Sequence, residues 1–131
     1  MGKLNLSELV ARSQQSEQDK FRVVYLKIDR ENTIEARKKD LRAVEKVLDM
    51  EVTDTHGRNR QAAMLIYDHC SVLREKELQQ AYQCVEPVDV VEKVFQSNMG
   101  LMQQAAAKIM QLYGLSEEDA EEESALEQVK N

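Results

Sequence analysis

Along most of the chain, apolar positions recur at the three- and four-residue spacing of helices. Asn5 with Glu8 forms a capping box, and Leu6, Leu9 and Val10 share one face, so the pattern predicts a short helix from Asn5 to about Gln14. Residues 13–19, rich in Gln, Ser and Glu, read as a linker. The exception to helical spacing is residues 21–28 (FRVVYLKI), whose β-branched and aromatic content predicts a strand. Asp29, Arg30, Glu31 and Asn32 then form a turn and Thr33–Arg37 a return strand, giving a hairpin at about 21–37. A second reading fits the same residues. Asn32 with Glu35 is also a capping box, and Ile34, Leu41 and Leu48 are spaced by seven, so one helix over 33–50 competes. The hairpin is preferred because a lone strand needs a partner. Either way, Leu41, Val44, Val47 and Leu48 make the apolar stripe of a helix over about 40–50.

Residues 51–58 read as a loop with Gly57 as its breaker, and Asn59 as the cap of a helix with Ala62, Leu65, Ile66 and Leu73 inside. Leu78, Ala81 and Tyr82 mark a short helix. Pro87 opens another that buries Val88, Val91, Val94 and Phe95, since proline suits a first helical turn. Residues 97–100 break it. The last strong helix covers about 101–113, with Gly114 as its stop. These elements make the expected fold mainly α: a small helical domain over 1–115 with an N-terminal β-hairpin, then a disordered acidic tail over 116–131.

Charge sharpens that division. The net charge is −6, and residues 116–131 carry all of it. The body is neutral and offers no general electrostatic attraction to nucleic acid or anionic lipid. No apolar run approaches a membrane span, and the N-terminus has no signal-peptide core. Two cysteines are too few for a disulfide framework. The expected setting is the cytoplasm.

Catalytic and metal chemistry find little support. His69 and Cys70 are adjacent, but neighbours on a helix point about 100° apart. The bland reading is a buried thiol beside a half-exposed imidazole. His56, His69, Cys70 and Cys84 lack the local spacing that preorganises zinc ligands. Asp29-Arg30-Glu31 starts like a calcium loop, yet Ile34 stands where the loop needs glycine. Arg37, Lys38, Lys39, Arg42 and Lys46 interleave with Glu35, Asp40, Glu45 and Asp49, a pattern expected to pair across helical turns as a solvated face. No catalytic residue, cofactor or metal is expected. Methionine is more informative, because Met99, Met102 and Met110 fall close together just after Phe95. Such a surface adapts to varied helical partners, although methionine also fills ordinary cores. Phe95, Met99, Met102 and Met110 are the candidate partner-binding residues.

The order of several segments resembles the phage tail assembly chaperones of Gram-positive bacteria and their prophages. The segments are residues 21–28 with the turn and 33–50, then Leu65-Ile66-Tyr67-Asp68, Glu77-Leu78-Gln79-Gln80-Ala81-Tyr82, Pro87-Val88-Asp89-Val90-Val91 and Met110-Gln111-Leu112-Tyr113-Gly114-Leu115, followed by the acidic tail. The resemblance spans about 20–131. It implies a small, mostly helical, non-enzymatic protein of the host cytoplasm. Such a protein binds the tape measure protein and keeps it soluble, and a frameshifted longer form recruits the tail tube protein. A homo-oligomer formed through the last helix pair is also expected. The competing class is a structural or regulatory helical adaptor held permanently in a complex.

Overall fold

The computed structural model describes residues 2–19 and 22–115. Its elements run α1 (Leu6–Asp19), β1 (Val23–Lys27), β2 (Thr33–Arg37), α2 (Arg42–Leu48), α3 (Thr55–His69), a 3₁₀ turn (Ser71–Arg74), α4 (Lys76–Ala81), α5 (Asp89–Val94) and α6 (Met99–Gln111). The fold is mainly α with an antiparallel hairpin near the N-terminus. The predicted acidic tail, 116–131, lies outside the described residues.

The turn chemistry decides between hairpin and helix at 33–50. Asp29 Oδ1 accepts from the backbone N–H groups of Glu31 and Asn32, both at 2.8 Å. It also accepts from the Asn32 side-chain amide at 3.1 Å. These bonds, the Asn32 side chain first, hold the Asp29 carboxyl below its usual range. With its amide turned back to Asp29, Asn32 does not cap a helix. The strands pair with Val24 opposite Ala36 and Leu26 opposite Ile34. Leu26 and Ala36 are buried and Val24 and Ile34 half-buried, while Tyr25 and Glu35 face out, the period-two alternation of a half-covered sheet. The seven-residue spacing of Ile34, Leu41 and Leu48 marks no inner face. Leu41 and Leu48 are exposed, and Val44 and Val47 are the residues α2 buries.

Three boundaries differ from expectation, each for a local reason. Residues 13–19 continue α1 as helix instead of forming a linker. The capping box at its start is present: Asn5 Oδ1 accepts from the Glu8 N–H at 2.9 Å. Asn59 is not the cap of α3. Asp54 Oδ1 accepts from the Gly57 N–H at 2.7 Å, so the helix starts at Thr55 and Gly57 lies in its first turn. At its other end, Arg74 donates to the carbonyls of Tyr67 and Asp68, satisfying acceptors that a helix terminus leaves open. The last helix starts at Met99, because Asn98 Oδ1 accepts from the Leu101 N–H at 3.0 Å. It stops as predicted: Gly114 has φ +76°, Leu115 N–H bonds the Met110 carbonyl, and Gly114 N–H bonds the Gln111 carbonyl. That is the Schellman arrangement.

The core lies where α3 packs along α6, with α2, α5 and the hairpin closing around the pair. Helix α6 sends Met102, Ala105, Ile109 and, one residue past its end, Leu112 inward, while α3 sends Ala62, Ala63, Leu65, Ile66 and His69. The hairpin is tied to α6 by Lys108 Nζ, which donates to the Tyr25 carbonyl at 2.9 Å. Among the described residues, no helix is long and apolar enough to cross a membrane.

Candidate functional site

Three helices leave a groove uncovered. Its walls are Val47 and Leu48 of α2, Arg58, Gln61, Ala62 and Leu65 of α3, and Gln103, Ala106, Ala107 and Met110 of α6, with Leu115 at one end. Small side chains create it: Ala62, Ala106 and Ala107 stop short where longer residues would fill the space. Its volume is about 520 Å³. Leu48 and Leu115 form apolar lips that are 47% and 45% exposed. The wall between α2 and α3 is held by Gln61, whose Nε2 donates to the Val47 carbonyl at 3.0 Å. The same carbonyl also accepts from the Met50 N–H at 3.2 Å.

The groove's chemistry is narrow. Among the described residues, its lining holds one ionisable group, Arg58, and no carboxylate, imidazole or thiol. Such a lining has no acid–base pair to move a proton. What it can do is take an apolar helical stripe, with Arg58, Gln61 and Gln103 left to hydrogen-bond at the rim.

The sequence-predicted contact residues do not form one surface. Phe95 is fully buried and Met102 is 3% exposed, so both belong to the core and are withdrawn as contacts. Phe95 lies in the core cluster, and Gln96 and Ser97 directly after it have left-handed φ of 53° and 57°. Met102 shares its buried stripe with Ala105 and Ile109. Met99 is 48% exposed but lines a smaller depression with His56, Arg60 and Asp89, away from the groove. Met110 alone lines the groove. Sequence reasoning missed Ala106, Ala107 and Leu48; the signal was a second, small-residue stripe on α6 beside the core stripe.

His69 also differs from expectation, being 1% exposed instead of half-exposed. The residues Ala62, Leu65, Ile66 and His69 share one helical face, which could have placed it inside. Its hydrogen bonds fix its tautomer. Nδ1 lies 2.8 Å from the Leu65 carbonyl, which can only accept, so Nδ1 carries the proton. Nε2 then accepts from the Tyr113 hydroxyl at 2.7 Å, and the Tyr113 oxygen accepts from the Lys39 backbone N–H at 2.8 Å. Burial is the main cause holding the His69 pKa below its ordinary value, with nearby Lys39 and Arg74 acting in the same direction and Asp68 opposing. Burial likewise pushes the Cys70 thiol up to about 12, which leaves it protonated and unreactive.

Two pairs of the basic segment differ from those expected across helical turns. Arg37 meets Glu35 at 2.7 Å along β2, and Lys46 reaches across to Asp68 on α3 at 3.0 Å. Lys38 sits 5.6 Å from the centre of the Tyr113 ring. Partial burial, followed by the charge of Arg74, lowers the Lys39 pKa. On the far side, Arg60 joins α3 to the start of α5 through Asp89, at 3.1 Å, and through Glu86. Among the described residues, no three His, Cys, Asp or Glu side chains gather where they could hold a metal. In comparison with known proteins, the chain matches no family model, no curated protein and no solved structure.

Proposed function

We propose that this chain is a phage tail assembly chaperone that binds an apolar helical stripe of a tape measure protein and keeps that protein soluble, acting by binding and not by catalysis. The observation that carries the reading is the open groove between α2, α3 and α6, with alanines on its floor, leucine lips and no carboxylate in its lining. Tape measure proteins are long helical polypeptides, and a helix with apolar residues at i, i+3, i+4 and i+7 is the shape such a groove accepts. The segment order that resembles the chaperone family supports the same reading and supplies the partner's identity. The partner contacts move from the methionine cluster to Leu48, Ala106, Ala107, Met110 and Leu115.

The test is co-expression with a phage tape measure protein, read as the soluble, co-purifying fraction of that protein. Ala107→Glu, at the groove floor, is expected to abolish co-purification while circular dichroism stays helical. Val85→Asp is the control, because Val85 is 95% exposed and lies outside the groove. A tape measure protein that co-purifies equally with wild type and Ala107→Glu would put the contact elsewhere. One that stays insoluble with folded wild type would refute the function.

A further inference from the structure

The chain carries a second unpartnered apolar element besides the groove. Helix α1 presents Leu6, Leu9 and Val10 at 79%, 54% and 61% exposure, so the apolar face of its first turns is uncovered among the described residues. An isolated helix of its 14 residues is marginal in water even with a good cap, because helices of that length draw their stability from packing an amphipathic face. A helix without a seat and a seat without a helix thus occur on one chain, in equal amounts.

We propose that α1 of one copy lies in the α2–α3–α6 groove of a second copy, and that the second copy returns its own α1 to the first, closing a two-fold dimer. This rests on the reading of the groove as a helix seat: α1 holds the seat in the free protein, and a tape measure stripe displaces it on binding. Its test uses no tail protein, so either idea can fail alone.

Reach favours a second copy over the same one. Only residues 20–22 separate α1 from β1. Three residues span at most about 11 Å. Strand β1 lies along the flank of α6 that carries Leu101, Gln104 and Lys108, whereas the groove opens on the flank that carries Gln103, Ala106 and Met110. A helix with side chains is about 10–12 Å across, so the linker is too short to bring α1 round α6 into its own groove.

Charge favours α1 as the occupant. Its sequence carries Glu8, Glu17 and Asp19 against Arg12, a net acidic segment. The groove answers with Arg58 and, among the described residues, no carboxylate. Area favours exchange over a single seat. A 14-residue helix is about 21 Å long, so one side of it covers roughly 300 Å². One seat, roughly 600 Å² of total buried surface, makes only a weak interface. Two reciprocal seats give roughly 1,200 Å² of total buried surface, the lower bound of the standard class. Exchange of identical elements is also a low-cost route to a closed dimer.

Sedimentation equilibrium of the full chain tests this. Wild type is expected to be a dimer. Leu9→Asp on α1 and Ala107→Glu in the groove should each weaken dimerisation roughly tenfold or more, the usual scale for loss of an apolar anchor, with helicity retained. Mixing the two variants in equal amounts should restore dimers, because one subunit then offers an intact helix and the other an intact groove. Those dimers have one good seat and should be weaker than wild type. If Ala107→Glu unfolds, Leu48→Asp on the exposed lip takes its place. A wild type that stays monomeric at high micromolar concentration overturns the proposal, as does a dimer indifferent to Leu9→Asp or a mixture that stays monomeric. A monomer is also what docking of α1 within its own chain gives.

Discussion

Tyr113→Phe isolates the polar chain that joins α3, the end of α6 and the segment after β2. The substitution keeps the ring and its T-shaped contact with His69, at 5.7 Å between centroids, and removes one oxygen. That oxygen gives its proton to His69 Nε2 and accepts from the Lys39 N–H. Lys39 is exposed, so water replaces the second bond at little cost. His69 is 1% exposed, so Nε2 is left without a donor in a place water does not reach. An unsatisfied buried group costs about 1–3 kcal/mol, and the middle of that range is expected. For a domain of this size, a loss of about 2 kcal/mol lowers the melting temperature by roughly 10 °C. Urea denaturation followed by circular dichroism gives the free energy directly. A cycle with His69→Phe should show coupling of about 1 kcal/mol, since each substitution removes the same bond. A Tyr113→Phe loss below about 0.5 kcal/mol, the scale of ordinary surface substitutions, would show that the chain is not closed to solvent and that the burial argument is wrong.

The folded state holds His69 neutral with a lowered pKa, so the unfolded chain takes up the proton first as pH falls. Stability should therefore be full above pH ~6.5 and decline below it, and denaturation midpoints in His69→Phe should lose that slope. Cys70 is fully buried and its pKa is about 12, whereas Cys84 is half-buried, so iodoacetamide should add one group to the native protein and two in denaturant, read by mass spectrometry. Met102→Asp places a charge in a 3%-exposed core position and should abolish the cooperative thermal transition; a helical, cooperatively melting variant would return Met102 to the surface.

The parts of this fold that were legible in the sequence are those fixed by neighbours in the chain. The strand at 23–27 follows from Val23, Val24, Tyr25 and Leu26 in succession, and the stop of α6 follows from Gly114, whose positive φ suits only glycine well. The illegible parts turn on which of two helical faces goes inward. On α6 the stripes Met102–Ala105–Ile109 and Gln103–Ala106–Met110 are both compatible with helix, and only the position of α3 chooses between them. Residue size misled in the same way. Methionines drew the eye to a contact surface, but the groove exists because alanines do not fill it. Asp54 and Asn59 were both competent caps, and Gly57 read as a helix breaker instead of as the residue whose N–H Asp54 receives.

The ties between the hairpin and α6 set an order of events during synthesis. Tyr25 waits for Lys108 and Lys39 waits for Tyr113, separations of 83 and 74 residues. At about 5–20 residues per second, the stretch between Arg37 and Met99 takes roughly 3–12 s to make, and a two-stranded hairpin is not stable alone over that time. Leu26 thus emerges from the ribosome well before Met102, Ala105 and Ile109, the α6 side chains of its core cluster. The packing of the hairpin is completed only once the last helix is released, and a chain truncated before α6 would leave uncovered the face of β1 that meets that helix.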